Sequence, residues 1–99
     1  MEIQKSIRMA VDTGKVMLGK NESIRSIMSG KCKLVIFSAN APNDIKVSIR
    51  KAAEAGDIPW IEYEGNAKEL GVVCGKPYPI NVISIIEPGD SDILSTAKQ

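Results

Sequence analysis

Apolar residues recur along this chain with two periods, and the changes between them mark its elements. Ile3, Ile7, Ala10 and Val11 fall at i, i+4, i+7 and i+8, so residues 2–12 are predicted as an amphipathic helix that stops before Gly14. A short strand follows at Lys15–Leu18. Beyond Gly19, the positions Ile24, Ile27 and Met28 give an inward helical stripe that ends at Gly30. Residues 32–38 are apolar and rich in β-formers, as expected of a strand covered on both faces. Ala41-Pro42-Asn43-Asp44 opens the next helix, with proline in its first turn and an acid near its positive end. Its inward stripe is Ile45, Ile49, Ala52 and Ala53, and Gly56 ends it.

In residues 58–64, Trp60, Ile61 and Tyr63 predict a third strand, with Pro59 placed at its start or on a sheet edge. Asn66-Ala67-Lys68-Glu69 reads as a capping box, in which Asn66 caps the helix and Glu69 reaches back to the Asn66 N–H. That helix carries Leu70, Val73 and Cys74 and breaks at Gly75. Residues 82–86 are the fourth strand. Pro88-Gly89-Asp90-Ser91-Asp92 then turns the chain into a last short helix through Ile93 and Leu94. One helix followed by four strand–helix pairs predicts an α/β fold: a three-layer α/β/α sandwich with a central four-stranded sheet and helices on both faces. No linker, low-complexity tract or internal repeat divides it, so residues 1–99 are expected to form a single domain.

Composition narrows the chemistry. No histidine is present, which removes the usual general base and the commonest metal ligand. Cys32 and Cys74 are far apart and flanked by apolar residues, as expected of buried thiols rather than a disulfide or a metal pair. The longest apolar run, Leu34-Val35-Ile36-Phe37, is far too short to cross a bilayer. The N-terminus has no signal-peptide core, so a cytoplasmic protein is expected. The formal net charge of +1 hides an asymmetry: residues 13–34 carry five bases against one acid, whereas residues 54–99 carry eight acids and three bases. A basic face directed at a polyanion and an acidic face directed at solvent would produce that pattern.

Two stretches carry candidate binding chemistry. Gly19-Lys20-Asn21-Glu22 joins a strand to a helix, and such a helix start offers unpaired N–H groups and a positive dipole end to phosphate, reinforced by Lys20 and Arg25. Glu22 does not suit phosphate binding. A carboxylate there makes sense as an acceptor for base-edge donors such as guanine N1–H and N2–H₂, with Asn21 able to read a neighbouring base. The plainer reading makes Asn21 a helix cap, Glu22 a dipole partner and Gly19 a turn. The second stretch, Gly75-Lys76-Pro77-Tyr78-Pro79-Ile80-Asn81, is a loop stiffened by two prolines. It would hold an exposed Tyr78 or Ile80 ready to pack on an unpaired base, unless both side chains fold back over the core. The two stretches share one edge of the sandwich if the first and fourth strands are antiparallel neighbours, a pairing that the sequence leaves open.

Taken with Arg25, the segments Gly19-Lys20-Asn21-Glu22, Ser38-Ala39-Asn40-Ala41-Pro42, Glu69-Leu70-Gly71 with Gly75-Lys76, and Glu87-Pro88-Gly89-Asp90-Ser91-Asp92-Ile93-Leu94 resemble the kink-turn RNA-binding ribosomal proteins. The likeness covers essentially the whole chain in the same order, and within that family it is to a component of the archaeal and eukaryotic large ribosomal subunit. The resemblance implies binding to a kink-turn, a helix–internal loop–helix element with sheared G·A pairs and a sharply bent backbone. By that likeness Gly19, Lys20, Asn21 and Glu22 enter the kinked groove, Asn21 and Glu22 meet the G·A guanines, and Lys20 and Arg25 meet phosphates. Asn40 lies at a further RNA contact, and Tyr78 and Ile80 cover the nucleotide that the kink ejects. Many eukaryotic-type members have a basic residue and a glycine where this chain has Pro79 and Asn81, which makes Lys76 the substitute for loop contacts to phosphate. The implied partners are large-subunit rRNA and neighbouring ribosomal proteins, with no membrane, cofactor, metal or small-molecule substrate. Two other readings are a kink-turn protein of another ribonucleoprotein and a small α/β nucleotide-binding or enzymatic domain. The second lacks G-x-G-x-x-G and G-x-x-x-x-G-K-[ST], and its candidate acids Glu62, Glu64, Asp90 and Asp92 have no evident nucleophile or metal partner.

Overall fold

In the computed structural model, which describes residues 2–91 and residue 93, the elements follow the order α1 (Glu2–Thr13), β1 (Lys15–Leu18), α2 (Lys20–Met28), β2 (Leu34–Ser38), α3 (Asn43–Ala55), β3 (Trp60–Tyr63), α4 (Ala67–Val73) and β4 (Val82–Glu87). The short helix expected through Leu94 lies outside the described residues, apart from Ile93, which is buried. The four strands form one sheet in the order β1-β4-β2-β3. Strand β4 is antiparallel to both β1 and β2, and β2 is parallel to β3. Strands β1, β2 and β3 therefore run in one direction. Their C-terminal ends and the N-terminal end of β4 emerge along a single edge of the sheet, where Gly19, Asn40 and the loop before β4 all lie.

Central strands β2 and β4 are buried almost throughout, and the two-residue alternation of their side chains separates two cores. Leu34, Ile36, Ile83 and Ile85 point to the side covered by α1 and α4, where Ile7, Ala10 and Leu70 meet them. Val35, Phe37, Val82 and Ile86 point to the other side, against Ile27 of α2 and Ile49 of α3. The expected sandwich is thus present, with helices on both faces.

Helix α2 departs from its predicted stripe. Met28 is 80% exposed, and the face turned to the sheet is Ser23, Ser26 and Ile27. Small serines let the helix approach β4 closely. Ser26 Oγ donates to the Ser23 carbonyl at 2.8 Å and lies 3.0 Å from Ser84 Oγ, whose proton it can accept, so a hydroxyl in the middle of a buried strand has a partner. Hydropathy favours Met28 over Ser26, but the closeness of the packing reverses that choice. Strand β2 also starts later than expected. The N–H groups of Lys31 and Cys32 both turn back to the Ser26 carbonyl and close the end of α2 instead of entering the sheet. At β3, Pro59 sits just before an edge strand, where its missing N–H costs no ladder bond.

Both cysteines are buried free thiols, Cys32 in the core on the α2–α3 side and Cys74 in the core on the α1–α4 side, so the sheet separates them. Burial raises both thiol pKa values. Cys74 is pushed up to about 11, with Lys76 and Arg8 only partly opposing the loss of hydration. Native protein at neutral pH is therefore expected to resist a soluble disulfide reagent, and both thiols should react in denaturant. Because the folded Cys74 pKa lies above its ordinary value of 9.0, its contribution to stability is constant below about pH 9. It falls as the pH rises from there towards about 11, since the unfolded chain releases its proton first. Rapid native labelling of Cys74 at neutral pH would contradict its placement.

Candidate nucleic-acid interface

Gly19 occupies the N-cap of α2 with φ +103°, in the range that L side chains rarely adopt. Its N–H donates to the Val82 carbonyl at 2.8 Å, which locks the start of α2 to the start of β4. Among the described residues no side chain caps this helix, so the plainer reading of Asn21 as its cap does not hold. Asn21 lies inside the first turn and is exposed. Ser23 N–H returns to the Gly19 carbonyl, but the N–H groups of Lys20, Asn21 and Glu22 have no partner among the described residues. Helix α4 differs: Asn66 Oδ1 accepts from Glu69 N–H and Glu69 Oε1 from Asn66 N–H, which completes the predicted capping box. The start of α2 thus keeps a free set of donors at the positive end of a nine-residue dipole.

Arg25 Nη1 stands 3.4 Å from Glu22 Oε2, one helical turn back, and both side chains are largely solvated. An exposed pair at this spacing is worth at most about 1 kcal/mol, so a ligand can separate the two groups at small cost. Glu22 and Arg25 therefore offer a carboxylate acceptor and a guanidinium side by side on the outer face of α2.

The antiparallel β1–β4 pairing brings the second stretch to the same place. A cleft of about 320 Å³ is lined by Leu18, Gly19 and Lys20 on one side, Tyr78, Pro79, Ile80 and Asn81 on the other, and Ile45 of α3. The loop residues divide: Tyr78 is 50% exposed, whereas Ile80 is 4% exposed and joins the core under α1 and α4. The expectation of an exposed Ile80 thus fails for its side chain, since the apolar residue next to β4 is drawn into the core. Lys76 lies at the other end of the loop, beside Cys74 and outside the cleft. Asn40 is exposed at the β2–α3 turn, where its Oδ1 accepts from Ala67 N–H at 3.1 Å and its amide nitrogen has no partner among the described residues.

Three cleft residues carry no binding signal in the sequence: Ile45 belongs to the inward stripe of α3, Leu18 ends β1, and Asn81 matches no motif. Asn81 is the polar residue between Ile80 and β4, and its carbonyl and Oδ1 both accept from Ser38, across the β2–β4 pair. A larger concavity of about 820 Å³ lies between α1, the end of β3 and α4, but Glu62, Glu64 and Glu69 outnumber Lys68 around it. Carboxylates in that number disfavour a phosphate backbone, so the smaller cleft is the better RNA candidate. Among the described residues no group of acids and thiols is arranged to hold a metal, and no helix is long and apolar enough to cross a membrane.

Residues 1–95 match the family described as Ribosomal protein L7Ae/L30e/S12e/Gadd45 family. The chain belongs to that family. Relatives within the L7Ae/L30e/S12e/Gadd45 family include the large ribosomal subunit protein eL30 of Methanobrevibacter smithii, 48% identical over 95% of this chain and 95% of the relative. The protein of the same name from Methanothermobacter thermautotrophicus is 47% identical over 95% of this chain and 96% of its own. That of Methanopyrus kandleri is 42% identical over 99% and 90%. Similarity to this L7Ae/L30e-type group therefore extends over nearly the whole of each chain, and includes both sides of the cleft.

Proposed function

We propose that the protein is a structural constituent of the large ribosomal subunit that holds a kink-turn in its rRNA, beside neighbouring ribosomal proteins and in the cytoplasm. The observation that carries this reading is the meeting, across the β1–β4 pair, of an uncapped helix start bearing Lys20, Asn21 and Glu22 with a Tyr78 platform. Free N–H donors and Lys20 suit the phosphates of a tightly bent strand. Asn21 and Glu22 present base-reading groups beside them, and an aromatic ring across the cleft can receive the base that the bend unstacks. None of these groups is arranged as a nucleophile with a base, so the reading is of binding rather than catalysis.

Binding to a kink-turn RNA, with a continuous duplex of the same length as comparison, tests the reading directly. Preference for the bent RNA is expected, and equal affinity for both would reject it. Lys20→Ala is expected to lower affinity for either RNA and to flatten the dependence of log affinity on log salt by about one unit, because one phosphate contact is lost. An unchanged slope would remove Lys20 from the phosphate contacts. Crosslinking in cells, followed by sequencing of the recovered RNA, would separate rRNA from other targets.

A further inference from the structure

Gly71 stands in the middle of α4, where alanine would ordinarily be favoured by about 1 kcal/mol. It is buried, and a Cβ at this position would overlap the Tyr78 carbonyl oxygen and lie 3.4 Å from Pro79 Cα. The missing side chain is thus what allows the crest of loop 75–81 to rest on the helix. Two hydrogen bonds hold it there: Lys76 N–H donates to the Gly71 carbonyl and Ile80 N–H to the Ala67 carbonyl, each at 2.9 Å. Between those two points remain only Pro77, Tyr78 and Pro79, and the prolines fix φ on either side of the tyrosine. The buried Ile80 side chain anchors the far end. The helix is itself tied to the sheet edge, because Asn40, just beyond the end of β2, accepts the Ala67 N–H on its Oδ1.

We infer that α4 is the template that sets the height of the Tyr78 ring over the cleft, with Gly71 as the positioning residue through which it acts. This rests on the RNA-binding reading above, and adds to it that a buried residue on the far side of the loop governs the fit. A methyl group at position 71 must lift the Tyr78–Pro79 peptide off the helix, and the two prolines pass that movement to the ring because they leave the loop little freedom to absorb it. Asn40 then has a second role: its side-chain oxygen holds α4, while its amide nitrogen has no partner among the described residues.

The test combines Gly71→Ala, Tyr78→Ala and the double variant, titrated with a kink-turn RNA and with a continuous duplex, and amide hydrogen exchange on the unliganded wild-type protein. Gly71→Ala is expected to lose about tenfold in kink-turn affinity, the lower end of what one base–aromatic stack is worth, with duplex affinity unchanged. In the Tyr78→Ala background the same change should cost less than about twofold, since the group it acts through is gone. An equal loss in both backgrounds would overturn the inference. The exchange measurement stands even if a variant fails to fold. Lys76 and Ile80 amides should exchange together with those of α4, and exchange at free-loop rates would overturn the template. Wild-type protein that ignored the kink-turn would reject the RNA reading, and amide exchange would still judge the clamp.

Discussion

Glu22→Ala is expected to weaken binding to a kink-turn RNA by about 1–3 kcal/mol while leaving affinity for a continuous duplex unchanged. Glu22 lies in the first turn of α2, half-exposed and loosely paired with Arg25. Against plain phosphate, removing a negative charge can only help or do nothing. A selective loss on the bent RNA therefore has a single physical source, an acceptor that pairs with base-edge donors exposed there and hidden in a regular helix. The variant should fold normally, because an exposed pair at this spacing and one dipole interaction together amount to about 1–2 kcal/mol at most. Glu22→Gln keeps one acceptor oxygen and should recover part of the loss. Parallel titrations of both RNAs decide the matter: equal losses on the two would reject base-edge recognition.

Phe37→Ala is expected to lower the unfolding free energy by about 3–5 kcal/mol, a large part of the roughly 5–15 kcal/mol that such a domain possesses. Phe37 is fully buried in the central strand β2, within the core that faces α2 and α3, and lies opposite Val82 in the β2–β4 register. Val82 in turn accepts the Gly19 N–H that fixes the start of α2. A cavity here removes contacts on that side of the sheet and loosens the strand to which the candidate RNA-binding helix is attached. Urea titration should show a lower midpoint with an unchanged slope. Addition of kink-turn RNA should recover part of the stability, because the ligand binds only the folded form. A loss below about 1 kcal/mol would mean that the site collapses around the missing ring, and that the closeness of the α2–β4 packing is less constrained than Ser26 and Ser84 imply.

Much of the architecture is legible in the sequence. The first four helices and the four strands, apart from the later start of β2, the Asn66–Glu69 capping box and the two buried thiols all follow from local rules of period, capping and burial, and recur in the structure. The likeness to the kink-turn ribosomal proteins rested on motifs spread over the whole chain, and family membership over residues 1–95 agrees with it. Two other departures have different causes. Hydropathy turns Met28 inward and leaves Ser26 out, yet α2 lies so close to β4 that small hydroxyl side chains fit and a long thioether does not. Loop chemistry pairs Ile80 with Tyr78 as a platform, but the start of β4 draws the Ile80 side chain into the core on the other face of the sheet.

The amino-acid sequence by itself determined which segments become helices and strands, which of their faces are apolar, and where glycine and the capping residues stop them. Those properties depend on neighbours within a few residues. Only the tertiary structure decided that β1 lies beside β4, that Gly19 and Tyr78 therefore face one cleft, and that Gly71 leaves room for the loop carrying that tyrosine. Strand pairing and close approach are contacts between residues distant in the chain, and a period read along the chain carries no information about which distant partner a face will meet.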